Sequence, residues 1–174
     1  MKKVIPVVII LAIIYFIVRS GASGGSSSQP PFMKLDVGET YTVDDLEFTV
    51  TSWKFSSYMA DKSNQTKAST GNVYCVIYFK VKNNAKSTTT LSRSIRNPKY
   101  ETKLLYSDGY KYLCRFADDP LYFHSKLNIR PLEEYTGTIN YEVPKEVKDN
   151  SDQPLMFDFQ WGGSNRNVIE WILR

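Results

Sequence analysis

Histidine and cysteine are nearly missing from this chain: there is one histidine, His124, and there are two cysteines, Cys75 and Cys114. A serine or cysteine hydrolase of the usual design would have to take its base from His124. That residue follows Tyr122-Phe123 in an irregular stretch with no nucleophile-elbow motif nearby, which is the setting of an ordinary loop histidine. Two cysteines exclude a four-cysteine zinc site, and their distance along the chain excludes a Cys-x-x-Cys redox pair. No glycine-rich phosphate loop occurs and no internal repeat is visible, so no cofactor and no bound metal are expected. Charge of one sign is also lacking in the body of the chain. The formal charge is +4, yet Lys2, Lys3 and Arg19 belong to the N-terminal segment; without them 19 basic residues face 18 acidic ones. So even a balance lacks the field that drives binding to nucleic acid, and no nucleic-acid partner is expected.

What is present begins at the N-terminus. Lys2-Lys3 precede an apolar run, Val4 to Val18, that ends at Arg19 and opens into the linker Ser20 to Pro31. Residues 1–19 read as a membrane anchor or signal peptide, 20–31 as a flexible Gly/Ser/Pro linker, and 32–174 as one domain. The run makes roughly 22 Å of helix at about 1.5 Å per residue, short of the ~30 Å hydrocarbon core of a bilayer. As an uncleaved anchor it is helped by Lys2, Lys3 and Arg19, which can snorkel to the headgroups, and by Tyr15 and Phe16 near one interface. The lysines then hold the N-terminus in the cytoplasm and place the domain outside a cell membrane crossed once. As a signal peptide it offers Ser20-Gly21-Ala22 for cleavage and release near Ala22, although Arg19 is a charge where cleavage regions are neutral. No cysteine follows the run, so lipid attachment is closed. On both readings the domain works outside the cytosol, and a linker of this composition keeps it within roughly 20 Å of its anchor point.

The body alternates apolar with polar residues at period two, the mark of half-buried strands. Strands are predicted at Thr40 to Val43, Leu46 to Phe55, Asn72 to Lys82, Tyr100 to Tyr106, Tyr110 to Phe116, Tyr135 to Val143, Leu155 to Trp161 and Val168 to Leu173. Asp44-Asp45 and Asp108-Gly109 supply tight turns, and Pro144 ends a strand. The run Val73, Cys75, Ile77, Phe79, Val81 puts one apolar face at the centre of a sheet, with Tyr74, Tyr78 and Lys80 on the other. Seven to nine such strands, with no helix longer than the N-terminal one, predict an all-β antiparallel sandwich. Ser56 to Gly71 is polar and predicts a long exposed loop with little apolar burial.

Several motifs resemble those of a known family. They are Gly38-Glu39-Thr40, Val50 to Trp53, Tyr74 to Lys86 around Val-Ile-Tyr-Phe-Lys-Val-Lys-Asn-Asn, Ser107 to Tyr112, Arg130-Pro131-Leu132-Glu133-Glu134, Tyr141 to Pro144 and Leu155 to Phe159, in that order. Together they resemble a domain-of-unknown-function family of bacterial extracellular domains, similar to a mycobacterial immunoprotective secreted antigen. The resemblance covers nearly all of Lys34 to Arg174 and implies an immunoglobulin-like β-sandwich behind a signal or single membrane helix. It implies no chemistry. The chain departs from it at Pro131-Leu132, where family members commonly carry Pro-Gly.

Candidate sites follow from residue types. Cys75 and Cys114 each fall on the apolar face of a strand. Bonded, they would close a loop worth about 4 kcal/mol by chain entropy; unbonded, they are small buried hydrophobes. The loop Ser56 to Gly71 carries Tyr58, Met59, Lys62, Asn64 and Lys67, a candidate binding loop against the plain reading of a polar insertion. Asp44-Asp45, Asp118-Asp119 and Glu133-Glu134 are adjacent carboxylates, which in a strand point to opposite faces and in a loop are solvated turns. The tyrosines suit sugar stacking but are ordinary strand residues. Asn64-Gln65-Thr66 fits a glycosylation sequon. The function expected is a non-enzymatic extracellular interaction or envelope-associated module, its partners the membrane through the N-terminal helix and an envelope protein or wall polymer. The alternative is a secreted cell-wall hydrolase using a carboxylate pair brought together by the fold.

Overall fold

In the computed structural model of the chain, residues 32–60, 66–91, 93–94, 97–98, 100–107, 109–114, 127–162 and 167–174 are described. The expected N-terminal helix, His124 and Asp118-Asp119 lie outside them. Among the described residues no helix is long and apolar enough to cross a membrane.

The period-two pattern becomes two facing sheets. The larger has the order β1 (Phe32–Asp36), β13 (Asn167–Ile172), β12 (Leu155–Trp161), β8 (Tyr100–Tyr106), β9 (Tyr110–Leu113). The smaller runs β11 (Glu134–Pro144), β4 (Asn72–Asn83), β3 (Leu46–Ser56), β2 (Thr40–Val43). Two short ribbons pair β5 (Thr89–Leu91) with β10 (Leu127–Ile129), and β6 (Arg93–Ser94) with β7 (Asn97–Pro98). Pro144 ends β11 and caps the short helix α1 (Lys145–Asp149), where its missing N–H costs nothing.

Burial follows the alternation. Val73, Cys75, Ile77, Phe79 and Val81 of β4 are buried facing Leu155, Phe157, Phe159 and Trp161 of β12. The sheets meet through rings: Phe48 of β3 lies 4.8 Å from Phe159 and 5.3 Å from Trp161, and Tyr141 of β11 lies 6.3 Å from Phe157. Both indoles have their N–H satisfied, Trp161 by Asp44 Oδ2 at 3.0 Å and Trp171 by the Glu39 carbonyl at 3.1 Å. This lets large aromatics be buried without an orphaned donor.

Three local features depart from the sequence expectation. β1 precedes the first predicted strand and pairs parallel with β13, from Phe32 opposite Val168 to Asp36 opposite Ile172. A pairing between the two ends of the domain leaves no local signal. The β8–β9 hairpin is one residue longer than the expected Asp108-Gly109 turn, because Tyr106 pairs with Tyr110 and the positive φ falls at Ser107 (51°) and Gly109 (141°). The break at Asn83-Asn84 is a junction rather than a plain loop. The buried Asn83 side chain donates to Ser87 O (2.9 Å) and Ile129 O (2.8 Å) and accepts from Ala85 N (2.9 Å), tying the end of β4 to β10. The Asp44-Asp45 turn is as the pattern predicts, with Val43 paired to Leu46 and both aspartates at positive φ.

Candidate functional site

A sandwich has two inner faces that make the core and two outer faces that meet everything else. On the smaller sheet the outer face is partly covered by the chain itself. The segment between β3 and β4 is an arm rather than a free loop: Tyr58 and Lys67 form an antiparallel bridge, Met59 N donates to Thr66 O (2.9 Å) and Ala68 N to Ser57 O (3.0 Å). Side chains of β11 fasten it down. Asn140 Oδ1 accepts from Ala60 N at 3.0 Å, Thr138 Oγ1 donates to Ala60 O at 2.9 Å, and Glu142 Oε1 accepts from Ser69 N at 2.7 Å. Beside these anchors Val76 is buried and Tyr74 is 3% exposed. The expectation of an exposed Tyr74, Tyr78 and Lys80 face is therefore corrected at Tyr74; the described residues of the segment itself are exposed or half-buried as expected, but they are paired and fastened to β11 rather than free. Of the candidate binding residues, Tyr58 and Lys67 are exposed and Met59 is half-buried, while Lys62 and Asn64 lie outside the described residues.

The outer face of the larger sheet is different. Register and alternation place Lys34 (β1), Glu170 (β13), Asp158 (β12), Lys103 (β8) and Leu113 (β9) in one row across it. Lys34 Nζ is 3.9 Å from Glu170 Oε2, and Lys103 Nζ is 3.5 Å from Glu101 Oε1. Asp158 is 6% exposed and Glu170 9%, although both point away from the core. Asp158 Oδ2 accepts from Gln160 Nε2 at 3.3 Å; its Oδ1 is buried with no hydrogen-bond partner among the described residues. Burial pushes the Asp158 carboxyl above the usual carboxylate range, against the hydrogen bond from Gln160 and the charge of Lys103. Burial likewise raises Glu170, with Lys34 opposing and Asp158 adding to the rise. Of the rows on either side, one runs Ile172, Met156 and Leu105 between Asp36 and Lys111, and the other is mixed, with Phe32, Val168, Gln160 and Glu101.

Sequence reasoning missed Asp158 and Glu170 because each is a single acid on the polar side of an alternating strand, the commonest place for one. Of the adjacent pairs it did single out, the two among the described residues do not assemble: Asp44-Asp45 is a hairpin turn, and Glu133 is held by Arg130 (Nε–Oε2 3.3 Å) in an exposed turn. Among the described residues no group of three or more potential ligands is placed to hold a metal. Cys75 and Cys114 are buried, separate thiols in the structure. Cys114 Sγ donates to Asn140 O at 3.6 Å, and burial pushes the Cys75 thiol up to about 12, so it carries no thiolate at neutral pH. An interior cavity between the sheets, lined by Phe48, Phe79, Thr102, Phe157 and Trp171 among others, has room for about 20 Å³, the size of a single water rather than a ligand.

Fold and site together define a β-sandwich domain whose distinctive chemistry lies on outer sheet faces. The chain belongs to the family described as a domain of unknown function (DUF4352), which matches residues 35–166. Among solved structures it is similar to an uncharacterized β-sandwich protein from Clostridium difficile 630, at TM-score 0.59 and 24% identity, covering 87% of this chain and all of that one. It is also similar to a conserved hypothetical protein from Bacillus anthracis, at TM-score 0.55 and 14% identity, covering 80% of this chain and 94% of that one. At these identities the likeness is one of fold. Among curated proteins none matches.

Proposed function

We propose that the chain is a non-enzymatic, extracellular interaction module of immunoglobulin-like topology, tethered to a cell membrane by residues 1–19. Its partner would be an envelope protein or wall polymer near the membrane. The observation that carries the reading is the order of the parts: basic residues, an apolar run, a Gly/Ser/Pro linker, then a sandwich whose first strand starts at Phe32 directly after that linker. The parallel pairing of first and last strands supports the topology, and kinship in fold with the mycobacterial secreted antigen belongs to the same proposal. Protease shaving of intact cells expressing the full chain tests the location. The domain should be trimmed away while a cytosolic marker survives; a domain protected until lysis would overturn the reading.

The hydrolase alternative has one geometric foothold. Asp158 and Glu170 are directly opposite on paired strands, where Cβ atoms are about 5 Å apart, close to the roughly 5 Å carboxyl separation of retaining glycosidases. Against it, both carboxyls are biased toward the protonated form, whereas a retaining mechanism needs one of them ionised. Wall-lysis assays with Asp158→Asn and Glu170→Gln decide. A lytic activity present in the native chain and lost in both variants would replace the module reading with this one.

A further inference from the structure

We propose that β1 is a force-bearing joint: it takes tension from the linker into the larger sheet by shear along β13 and keeps that tension off the short β2–β3 pairing. The source of the load rests on the module reading, in which residues 1–19 are held by a membrane; the geometry of the joint does not.

The path of the chain fixes where a pull enters. In sequence the linker ends at Pro31, so tension in it reaches Phe32 before any other described residue. Phe32 pairs with Val168, beside the Trp161–Asn167 pair, and the Trp161 indole reaches Asp44, which puts the entry point at the same end of the sandwich as the Asp44-Asp45 turn. From there β1 runs toward the opposite end, where the arm leaves β3 after Ser56 and α1 follows Pro144. A partner gripped at that end therefore pulls the body away along the axis of β1.

Pairing then decides how the pull is resisted. Asp36 N donates to Glu39 Oε2 at 2.7 Å and Asp36 O accepts from Glu39 N at 3.0 Å, so the backbone groups of Asp36 face away from β13. By alternation those of Phe32 and Lys34 face the open edge too, and those of Met33 and Leu35 face β13. Drawing the linker slides β1 lengthwise past β13, which loads the bonds of Met33 and Leu35 together. β13 is itself paired along its length with β12, from Asn167 opposite Trp161 to Ile172 opposite Met156, so the load spreads into the sheet.

Without that joint the same pull takes another path. Past the turn at Gly38 the chain doubles back as β2, from Thr40 opposite Thr49 to Val43 opposite Leu46. Tension arriving at Thr40 from the linker's end would lift β2 off β3 one pair at a time, a peel rather than a shear, and β2 is an edge strand of four residues. β1 contributes little else. Four of its five residues are exposed and only Leu35 is half-buried, so its share of the core is small.

The full chain, in neutral detergent and held in magnetic tweezers by tags before Met1 and after Arg174, tests the joint. Arg174 emerges at the end opposite Phe32, because β13 runs parallel to β1 and Leu173 N donates to Leu155 O just beyond it. Met33→Pro removes an N–H that faces β13, and Lys34→Pro one that faces the open edge; both side chains are exposed, so neither change disturbs the core. At constant force the Met33→Pro chain should open about fivefold faster than the native chain, the size of one backbone hydrogen bond, and the Lys34→Pro chain at the native rate. Without force, in urea, all three should unfold at similar rates, since an exposed edge strand frays before the core opens. Equal effects of the two prolines, a native rate for Met33→Pro under force, or the same acceleration with and without force would each overturn the proposal. A domain found protected in the shaving experiment would remove the load and leave these rates as they are, so the two failures are told apart.

Discussion

The two outer faces of this sandwich bury polar side chains in opposite ways. On the smaller sheet Asn140, Thr138 and Glu142 have their hydrogen bonds completed by backbone groups of the arm at Ala60 and Ser69. On the larger sheet Asp158 is buried too, yet one of its oxygens meets no donor among the described residues. The chain has folded back to finish one face and has left the other unfinished. Burying a polar group without a partner costs about 1–3 kcal/mol, so the first arrangement contributes stability and the second gives some up.

The largest test of this contrast removes the covering. Replacing residues 57–70 with a short Gly-Ser turn should uncover Val76 and Tyr74 and leave Asn140 and Thr138 without their backbone partners. At about 1.5–3 kcal/mol for each large side chain uncovered, a loss of roughly 4 kcal/mol is expected, and a melting temperature lower by about 10 °C. The sequence alone suggested no change. A melting curve that matches the native chain would return the arm to the status of an ornamental loop.

A narrower cut is Asn140→Ala, which keeps the arm and removes its central fastening at Ala60. The expected cost is about 1 kcal/mol, from a lost bond to a half-buried backbone N–H. Limited proteolysis gives a second reading, since the freed arm should be cleaved between residues 57 and 70 well before the sheets open. Equal cleavage rates in variant and native chain would mean that the arm is held by something other than β11.

On the larger sheet the corresponding change has the opposite sign. Asp158→Asn keeps the shape, removes the buried charge and supplies an amide N–H that can donate to Glu170, so it should stabilise at neutral pH by about 1 kcal/mol. The pH dependence follows from the direction of the shifts. With Asp158 and Glu170 both raised, the folded chain holds protons that the unfolded chain has already released. Stability therefore falls as pH rises from the ordinary aspartate value of 3.8 through the raised folded values, and the loss is complete above them. The variant should show a shallower fall over the same interval in urea titrations. A variant less stable than the native chain at pH 7, or one with an identical pH profile, would mean that Asp158 has a partner after all.

How much of this was legible before the structure depends on the range of each interaction. The long strands, their inward faces and the Asp44-Asp45 turn come from period-two patterning and from turn chemistry, both written within a few neighbouring residues. β1 did not, because its pairing with β13 joins residues at opposite ends of the domain. The arm did not, because Ser, Thr and Asn look the same in sequence whether they meet water or the side chains of β11. Asp158 is the plainest case. Its position in Leu-Met-Phe-Asp-Phe-Gln-Trp predicts an outward carboxylate correctly, and nothing in the string distinguishes a solvated one from one ringed by Glu170, Lys103 and Gln160. Alternation assigns a face, whereas burial on that face is set by neighbours from other strands.

The smallest effect tests a place where sequence and structure agree on an oddity. Pro131-Leu132 stands where the resembled family commonly has Pro-Gly, and the structure keeps the geometry of that turn: Glu133 N donates to Arg130 O at 3.1 Å, and Leu132 sits at φ 61°. Proline at the second position and a left-handed third position define a type II turn, whose third position favours glycine because a β-carbon there crowds the backbone. Leu132 N also donates to Asn83 O at 2.7 Å, so the turn is pinned to the end of β4 and cannot relax by flipping. The leucine side chain is exposed and contributes little burial in return. Leu132→Gly should relieve about 1 kcal/mol of backbone crowding, partly offset by the greater freedom glycine gives the unfolded chain, for a net gain of a few tenths to 1 kcal/mol. Leu132→Asn, which tolerates the left-handed region and keeps a side chain, should gain a similar amount without that entropic offset. If both variants are less stable than the native chain, the exposed leucine has a use that its conformation alone does not explain.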